Sequence, residues 1–275
     1  MGFWVGKRIW IVGASTGIGA GLVKMLSGTG AKLVISARNE HKLRELQLTF
    51  RSVSIEVLPL DVEDFMTLSI RVNEAWKFLD GFDYVFLNAG MSVRDLVSDT
   101  QIEVERKIMD INFWGPVAIT RELLRKRNQE SELHLVLTSS LSGKYGVPKL
   151  ASYTASKHAM QGYFDSLRAE THGAGIFIHL VIPGFVRTDI TVAGLRGDGS
   201  TNGRMQEALA GGMDPVDCAK GILSGLERGK EEFVVGGFER FTVLLNRLFP
   251  RLMKKIIRSN PLQHIKKFQR SWLGK

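Results

Sequence analysis

The sequence predicts a single doubly wound α/β domain of about seven mainly parallel strands flanked by helices, followed by a basic, amphipathic helical tail. Three observations predict it. Short apolar runs alternate regularly with segments of helical period. Most of the runs are continuously apolar rather than alternating, as strands covered on both faces are. A glycine-rich turn follows the first run and opens a helix, which is where a Rossmann-type sheet binds phosphate.

In chain order, the strand-like runs are 8–12, 32–36, 53–58, 84–88, 133–138, 176–182 and 232–236. Helical period fills 17–29, 39–51, 62–79, 99–128, 152–172 and 214–228. Such an alternation implies crossover connections and a parallel sheet. The chain has 275 residues, 44% of them hydrophobic, and no Pro/Ser-rich linker divides it. One large core is therefore expected, with a catalytic body over 1–239 and an extension over 240–275. Residues 190–213, rich in glycine and small polar groups, read as a mobile lid over a substrate, because loops with few apolar anchors open easily.

The net charge of +9 is uneven: residues 240–275 hold ten of the 37 Lys/Arg and no Asp/Glu. The body keeps 27 basic against 28 acidic residues and is nearly neutral. In the tail, Phe241, Leu244, Leu245, Leu248, Phe249, Leu252, Met253 and Ile256 form a helical stripe, bent or restarted at Pro250. Leu262, Ile265, Phe268 and Trp272 form a second stripe. Such a stripe can cover the protein's own core. With uncompensated cations around it, an anionic membrane surface explains both features. No recognition motif or aromatic platform accompanies the cations, so nucleic acid is not an expected partner. The single cysteine, Cys218, allows no internal disulfide and reads as a small buried residue. No signal peptide, transmembrane stretch or metal-ligand set is read, so a cytoplasmic protein, peripheral on a membrane, is expected.

Ligands of doubly wound sheets bind beyond the C-terminal strand ends. After the first strand comes Gly13-Ala14-Ser15-Thr16-Gly17-Ile18-Gly19. Its amides can approach a pyrophosphate at the helix N-terminus, although a plain tight turn would use the same glycines. After the second strand, Ala37-Arg38-Asn39 offers a guanidinium instead of an acid. That choice suits a ribose 2′-phosphate, and thus NADP(H). Asp61-Val62 follows the third strand, where it can meet an adenine edge or cap the next helix. Asn88-Ala89-Gly90 follows the fourth.

In the stretch YTASK, Tyr153 and Lys157 are four residues apart, on one helix face. Lys157 could then bias Tyr153 toward phenolate by its positive charge. Ser140 closes the fifth strand and can reach the same cleft to hold a carbonyl oxygen. A Tyr-Lys pair alone is also compatible with ordinary helix surface.

Taken together, GASTGIG at 13–19, LNAG at 87–90, DINFWG at 110–115, the Ser140/Tyr153/Lys157 set and PGFVRTD at 183–189 make the chain resemble the short-chain dehydrogenase/reductase family from residue 6 to about 237. The resemblance implies that Tyr153 is the acid/base and that Lys157 binds the nicotinamide ribose and lowers the tyrosine pKa. It makes Ser140 the group that polarises the substrate carbonyl and Asn112 the holder of a water in the proton relay. Pro183, Gly184, Val186 and Thr188 belong to the segment that covers the nicotinamide. Tyr145, Val147, Pro148, Leu150 and Phe185 are expected to line a largely apolar substrate pocket. Val12 and Thr16 depart from common family residues, the second leaving Arg38 as the main phosphate anchor. SKHAMQGYFDSLRAE and PGFVRTDITVAGLRGDGSTNGRM are closer to the seven-B type members, which are membrane-associated. The resemblance implies hydride transfer between NADP(H) and a carbonyl or secondary alcohol, and a homodimer or homotetramer built through 99–128 and 152–172. A catalytically quiet NADP-binding sensor or scaffold is the alternative.

Overall fold

The computed structural model describes residues 2–51, 53–128 and 131–258. Seven strands form one parallel sheet in the order β3-β2-β1-β4-β5-β6-β7. They are β1 (Arg8–Val12), β2 (Lys32–Ser36), β3 (Ile55–Val57), β4 (Tyr84–Leu87), β5 (Leu133–Thr138), β6 (Ile176–Pro183) and β7 (Glu232–Val235). The sequence order reverses between β1 and β4, which is the point where such a sheet opens a ligand crevice.

The continuously apolar strands are explained by two cores, one on each face of the sheet. On β1, Ile9 and Ile11 enter one core while Trp10 and Val12 enter the other. The first core takes Leu22, Val23 and Leu26 from α1 (Gly17–Leu26), Leu43 from α2 (Glu40–Thr49), and Ile222, Leu223 and Leu226 from α8 (Pro215–Glu227). The second takes Leu68, Val72 and Ala75 from α3 (Phe65–Leu79) and Val117, Ile119 and Leu123 from α5 (Gly115–Lys126). Met160, Phe164 and Leu167 of α6 (Ala151–Glu170) complete it. Cys218 is fully buried in the first core, and burial pushes its thiol up to about 12. It is a packing residue, as expected.

The predicted helix over 99–128 is three pieces. After a 3-10 turn at Val97–Asp99, α4 (Ile102–Met109) runs into a π-helical turn at Asp110–Trp114 and then into α5. The Gly115 N–H reaches back to the Asp110 carbonyl. Pro116 has no N–H, so the Asn112 carbonyl lacks the usual partner four residues on. Such π turns recur at functional sites.

The tail does begin as the stripe predicts. After a 3-10 turn at Phe238–Arg240, α9 (Phe241–Leu248) ends and Pro250 opens α10 (Pro250–Arg258); α7 (Glu207–Ala210) is a single turn in the connection between β6 and α8. The second stripe and the cations beyond Arg258 lie outside the described residues. Among the described residues, no helix is long and apolar enough to cross a membrane.

Candidate active site

A cavity of about 1520 Å³ runs along the C-terminal strand ends. Ligand pockets usually measure about 300–1,000 Å³, so there is room for a dinucleotide and a second molecule. Every site residue named from the sequence lines it except Gly19 and Asn112.

The nucleotide end is shaped by missing side chains. Gly13 has φ +87°, and a Cβ there would come within 2.5 Å of the Ala89 nitrogen. A Cβ on Gly17 (φ +55°) would meet the Thr188 methyl at 2.9 Å, so the turn also touches the segment expected to cover the nicotinamide. Gly19 serves the turn from behind, since its Cβ would strike the Gly13 carbonyl. Hydrogen bonds fix the arrangement. The Gly13 and Ala14 amides donate to the Ser36 carbonyl at 2.7 and 3.0 Å. Asn88 donates through Nδ2 to the Gly13 carbonyl at 2.9 Å and accepts from the Thr138 hydroxyl at 3.0 Å. The first turn of α1 holds no acid and no side-chain cap, leaving its amides for an anion. These features fit a dinucleotide pyrophosphate.

At the ribose end, Arg38 lines the cavity with its guanidinium 3.9 Å from Glu63. Lys42, which sequence reading missed, lines it as well. Asn39 caps α2 by accepting from the Lys42 amide at 3.0 Å. Asp61 accepts from the Glu63 amide at 3.1 Å and so braces the turn before α3, whose N-cap is Asp64. Of the two readings open for Asp61, capping α3 is excluded, and its place in the cavity wall remains.

At the chemical centre, Ser140 caps a 3-10 turn at Leu141–Gly143, accepting from the Ser142 amide at 3.2 Å, and its hydroxyl is near enough to the Tyr153 phenol to pull its pKa down. Lys157 lies beneath, with its ammonium 5.8 Å from the centre of the Tyr153 ring. It donates to the Thr138 carbonyl at 2.8 Å. Thus Lys157, Thr138, Asn88 and Gly13 form one connected strut between the two ends of the site.

Burial pushes Lys157 down to about 8. Burial pushes the Tyr153 phenol up, with the Ser140 hydrogen bond pulling the other way. The expected lowering of Tyr153 is therefore not a property of the protein alone. The phenol's desolvation outweighs the Ser140 contribution.

Asn112 is fully buried. Its Oδ1 accepts from the Met91 amide at 2.8 Å, and its Nδ2 donates to the Met91 carbonyl and the Ser156 hydroxyl. The side chain is thereby spent on pinning the loop after β4 to α6. Its main-chain carbonyl lacks the helical donor four residues on, because Pro116 has no N–H.

At the substrate end, Tyr145, Val147, Pro148, Leu150 and Phe185 line the cavity, and the tail joins them. Tyr145 lines the cavity, but its hydroxyl also pairs with Thr242 at 2.8 Å, tying the tail down. Asn246 adds a bond to the Lys144 carbonyl at 2.9 Å. The buried Glu239 accepts from the Phe185 and Gly237 amides at 3.1 and 3.0 Å. Body and tail are thus joined at the residue where the charge distribution suggested a boundary. Of the predicted stripe, all but Leu252 line the cavity, although Phe241, Leu244, Leu248 and Phe249 stay about half exposed at its mouth.

Residues 190–203 are stitched to the loop after β4. Ser92 Oγ donates to the Ile190 carbonyl, the Leu195 amide to Ser92, and the Arg94 amide to Leu195, at 2.8–3.0 Å. The segment has few apolar anchors, as read, but backbone bonds hold it. Sequence reading missed Lys42, Arg94, Glu239 and Thr242. The one available signal was their position next to recognised motifs.

Residues 7–196 match the sequence pattern of the family described as short chain dehydrogenase. The chain is 34% identical over 262 residues to a Danio rerio protein named dehydrogenase/reductase SDR family member 7B, covering 92% of this chain and 85% of that one. It is 33% identical over 254 residues to a Drosophila melanogaster protein named dehydrogenase/reductase SDR family protein 7-like, covering 90% and 78%. Among solved structures, a Burkholderia phymatum short chain dehydrogenase/reductase in complex with NAD superposes with TM-score 0.81 at 20% identity, covering 92% of this chain and 96% of that one. A Thermococcus sibiricus alcohol dehydrogenase complexed with 5-hydroxy-NADP gives 0.72 at 21%, covering 84% and 97%. At these identities the two structures carry the fold alone.

Proposed function

Because the chain belongs to the short-chain dehydrogenase/reductase family, we propose that it is an NADP(H)-dependent oxidoreductase acting on a carbonyl or secondary alcohol of an apolar substrate. The observation that carries this reading is the meeting of Ser140, Tyr153 and Lys157 in the middle of a cavity whose one end is a glycine-built cradle and whose other end is apolar.

A bound nicotinamide supplies the hydride, and the protein's work is orientation and proton delivery. Gly13 to Ile18 would hold the pyrophosphate, and Asn88 to Gly90 would pass close to the nucleoside. Arg38 and Lys42 would pair with a 2′-phosphate. Lys157 would hold the nicotinamide ribose, and Pro183 to Thr188, fastened by Glu239, would cover the ring. In the reducing direction, Ser140 donates to the carbonyl oxygen and Tyr153 passes its proton to the forming alkoxide. A tyrosine held near or above its ordinary pKa is a competent donor in that direction. In the oxidising direction it must first lose its proton, which a cation beneath the ring favours. Lys157, with a water held at the Asn112 main-chain carbonyl, would offer a route to refill the proton.

The test is turnover of a ketone panel with NADPH and with NADH, in wild type and Tyr153→Phe. Turnover confined to the wild type and favoured by NADPH is expected. Cofactor binding with no turnover of any ketone or alcohol would leave a cofactor-binding scaffold.

Two associations go with this reading. The run from α4 through α5, on which Ile102 and Trp114 are about half exposed, would pair with α6 across a two-fold axis into at least a dimer. The tail, with apolar residues at the cavity mouth and the cations Arg247, Arg251 and Lys254 outside its lining, would rest on an anionic lipid surface. Its seating would let lipid-dissolved substrate enter the cavity directly.

A further inference from the structure

Arg94 stands in the wall of the same cavity, half-buried, and burial pushes its guanidinium down from its ordinary pKa. Its amide is used by Leu195, but among the described residues no hydrogen bond or ion pair engages the guanidinium. A cation taken partly out of water with nothing opposite it is an unfavourable arrangement. The neighbouring acid does not answer it. Asp95 is spent on the Leu96 and Gly197 amides, at 3.0 and 3.2 Å. The cavity's carboxylates are Asp61, beyond β3, and Asp189, next to the Thr188 that meets the glycine turn; neither pairs with Arg94.

The location is specific. The Asp95 amide donates to the Lys149 carbonyl at 3.1 Å, and Lys149 also lines the cavity. The main chain of a second basic residue of the cavity wall therefore lies beside Asp95, the neighbour of Arg94. Gly90, four residues earlier, lies beside Lys157, whose ammonium would be 3.7 Å from a Cβ built there. Four residues of chain span at most about 14 Å. Leu244, Leu245 and Leu248 of α9 line the same cavity, so it offers both cationic and apolar walls within reach of the Tyr153 hydroxyl.

We infer that Arg94 binds the anionic head group, a phosphate or a carboxylate, of an amphiphilic substrate whose carbonyl meets Tyr153 and whose hydrocarbon lies along α9. This rests on the proposed reductase reading and narrows its substrate from apolar to amphiphilic and anionic. The planar fork of a guanidinium suits either oxyanion in bidentate fashion. Residues 190–203 contribute by holding the Arg94 main chain.

The test uses the full chain saturated with NADPH and three probes below their micelle-forming concentrations: decyl phosphate, decanoate and decanol. Wild type should bind the anions about tenfold or more tighter than decanol, the weight of a charge-assisted bond. Arg94→Met should lose that preference while keeping NADPH affinity, and Arg94→Lys should keep part of it. The ranking of decyl phosphate against decanoate identifies the head group. A preference that survives Arg94→Met belongs to the tail cations and overturns the assignment, as does equal binding of all three probes by wild type. As a second readout, Arg94→Met should raise KM for a long-chain keto acid and leave its methyl ester unchanged. If esters and acids are reduced equally well by both proteins, Arg94 is not the anchor and the reductase reading stands. If no ketone is reduced while the anion preference still follows Arg94, the reductase reading falls and the anion site remains.

Discussion

Gly13, Gly17 and Gly19 shape the nucleotide half of the cleft by what they lack, whereas the substrate half is closed by side chains from α9, α10 and the 190–203 segment. The first half is made by main chain at strand ends, so its geometry follows from local turns that any reader of the sequence can find. The second is assembled from segments far apart in the chain and held by pairs such as Tyr145–Thr242 and Glu239–Phe185. The comparison teaches where specificity can change without touching the chemistry.

The largest effect should come where the halves meet. Tyr153→Phe removes the hydroxyl proposed as proton donor and should lower kcat by about three orders of magnitude or more, with NADPH affinity near normal by fluorescence titration. Next, Gly13→Val would drive a side chain into the Ala89 main chain at a φ of +87°. It should abolish measurable cofactor binding in a folded protein, as checked by titration alongside circular dichroism. A tightly binding Gly13→Val would mean that the nucleotide half is not built by close backbone approach.

Arg38→Ala should weaken NADPH by about 1.5–3 kcal/mol, the loss of a charge-assisted bond, and leave NADH unchanged. A wild type that prefers NADH would break this assignment. The smallest effect belongs to the tail: Leu248→Ser should raise KM for long apolar ketones by about tenfold at most, leaving small ketones alone. If small and long ketones suffer equally, α9 supports the fold rather than the substrate. Flotation on anionic liposomes, lost when Arg251 and Lys254 are replaced by Gln, would tie the same helices to a membrane.

The sheet was legible because its strands are buried on both faces and its turns carry glycines with one mechanical reason each. The Ser140, Tyr153 and Lys157 set was legible only in company with the other motifs, since helical spacing by itself also fits plain helix surface. Residues such as Glu239 and Arg94 were not, since their roles depend on segments about fifty and a hundred residues away. Tyr145 was read as substrate lining from its place in the loop, but its bond to Thr242 needed the docked tail to be seen. The upward push of burial on the Tyr153 phenol was not legible from spacing, because it depends on how deeply the fold encloses the ring.

The central claim, that this cleft transfers a hydride to a carbonyl carbon with Tyr153 supplying the proton, is tested most directly by isotope tracing. The wild type would be given NADPH deuterated on the reactive face of nicotinamide C4 and an amphiphilic ketone, and the product examined by mass spectrometry and NMR. Both faces should be labelled in separate runs. The account predicts one deuterium on the new carbinol carbon with one of the two labels, and no product from Tyr153→Phe. Alcohol formed without deuterium from either label, or equal labelled product from Tyr153→Phe, would contradict it.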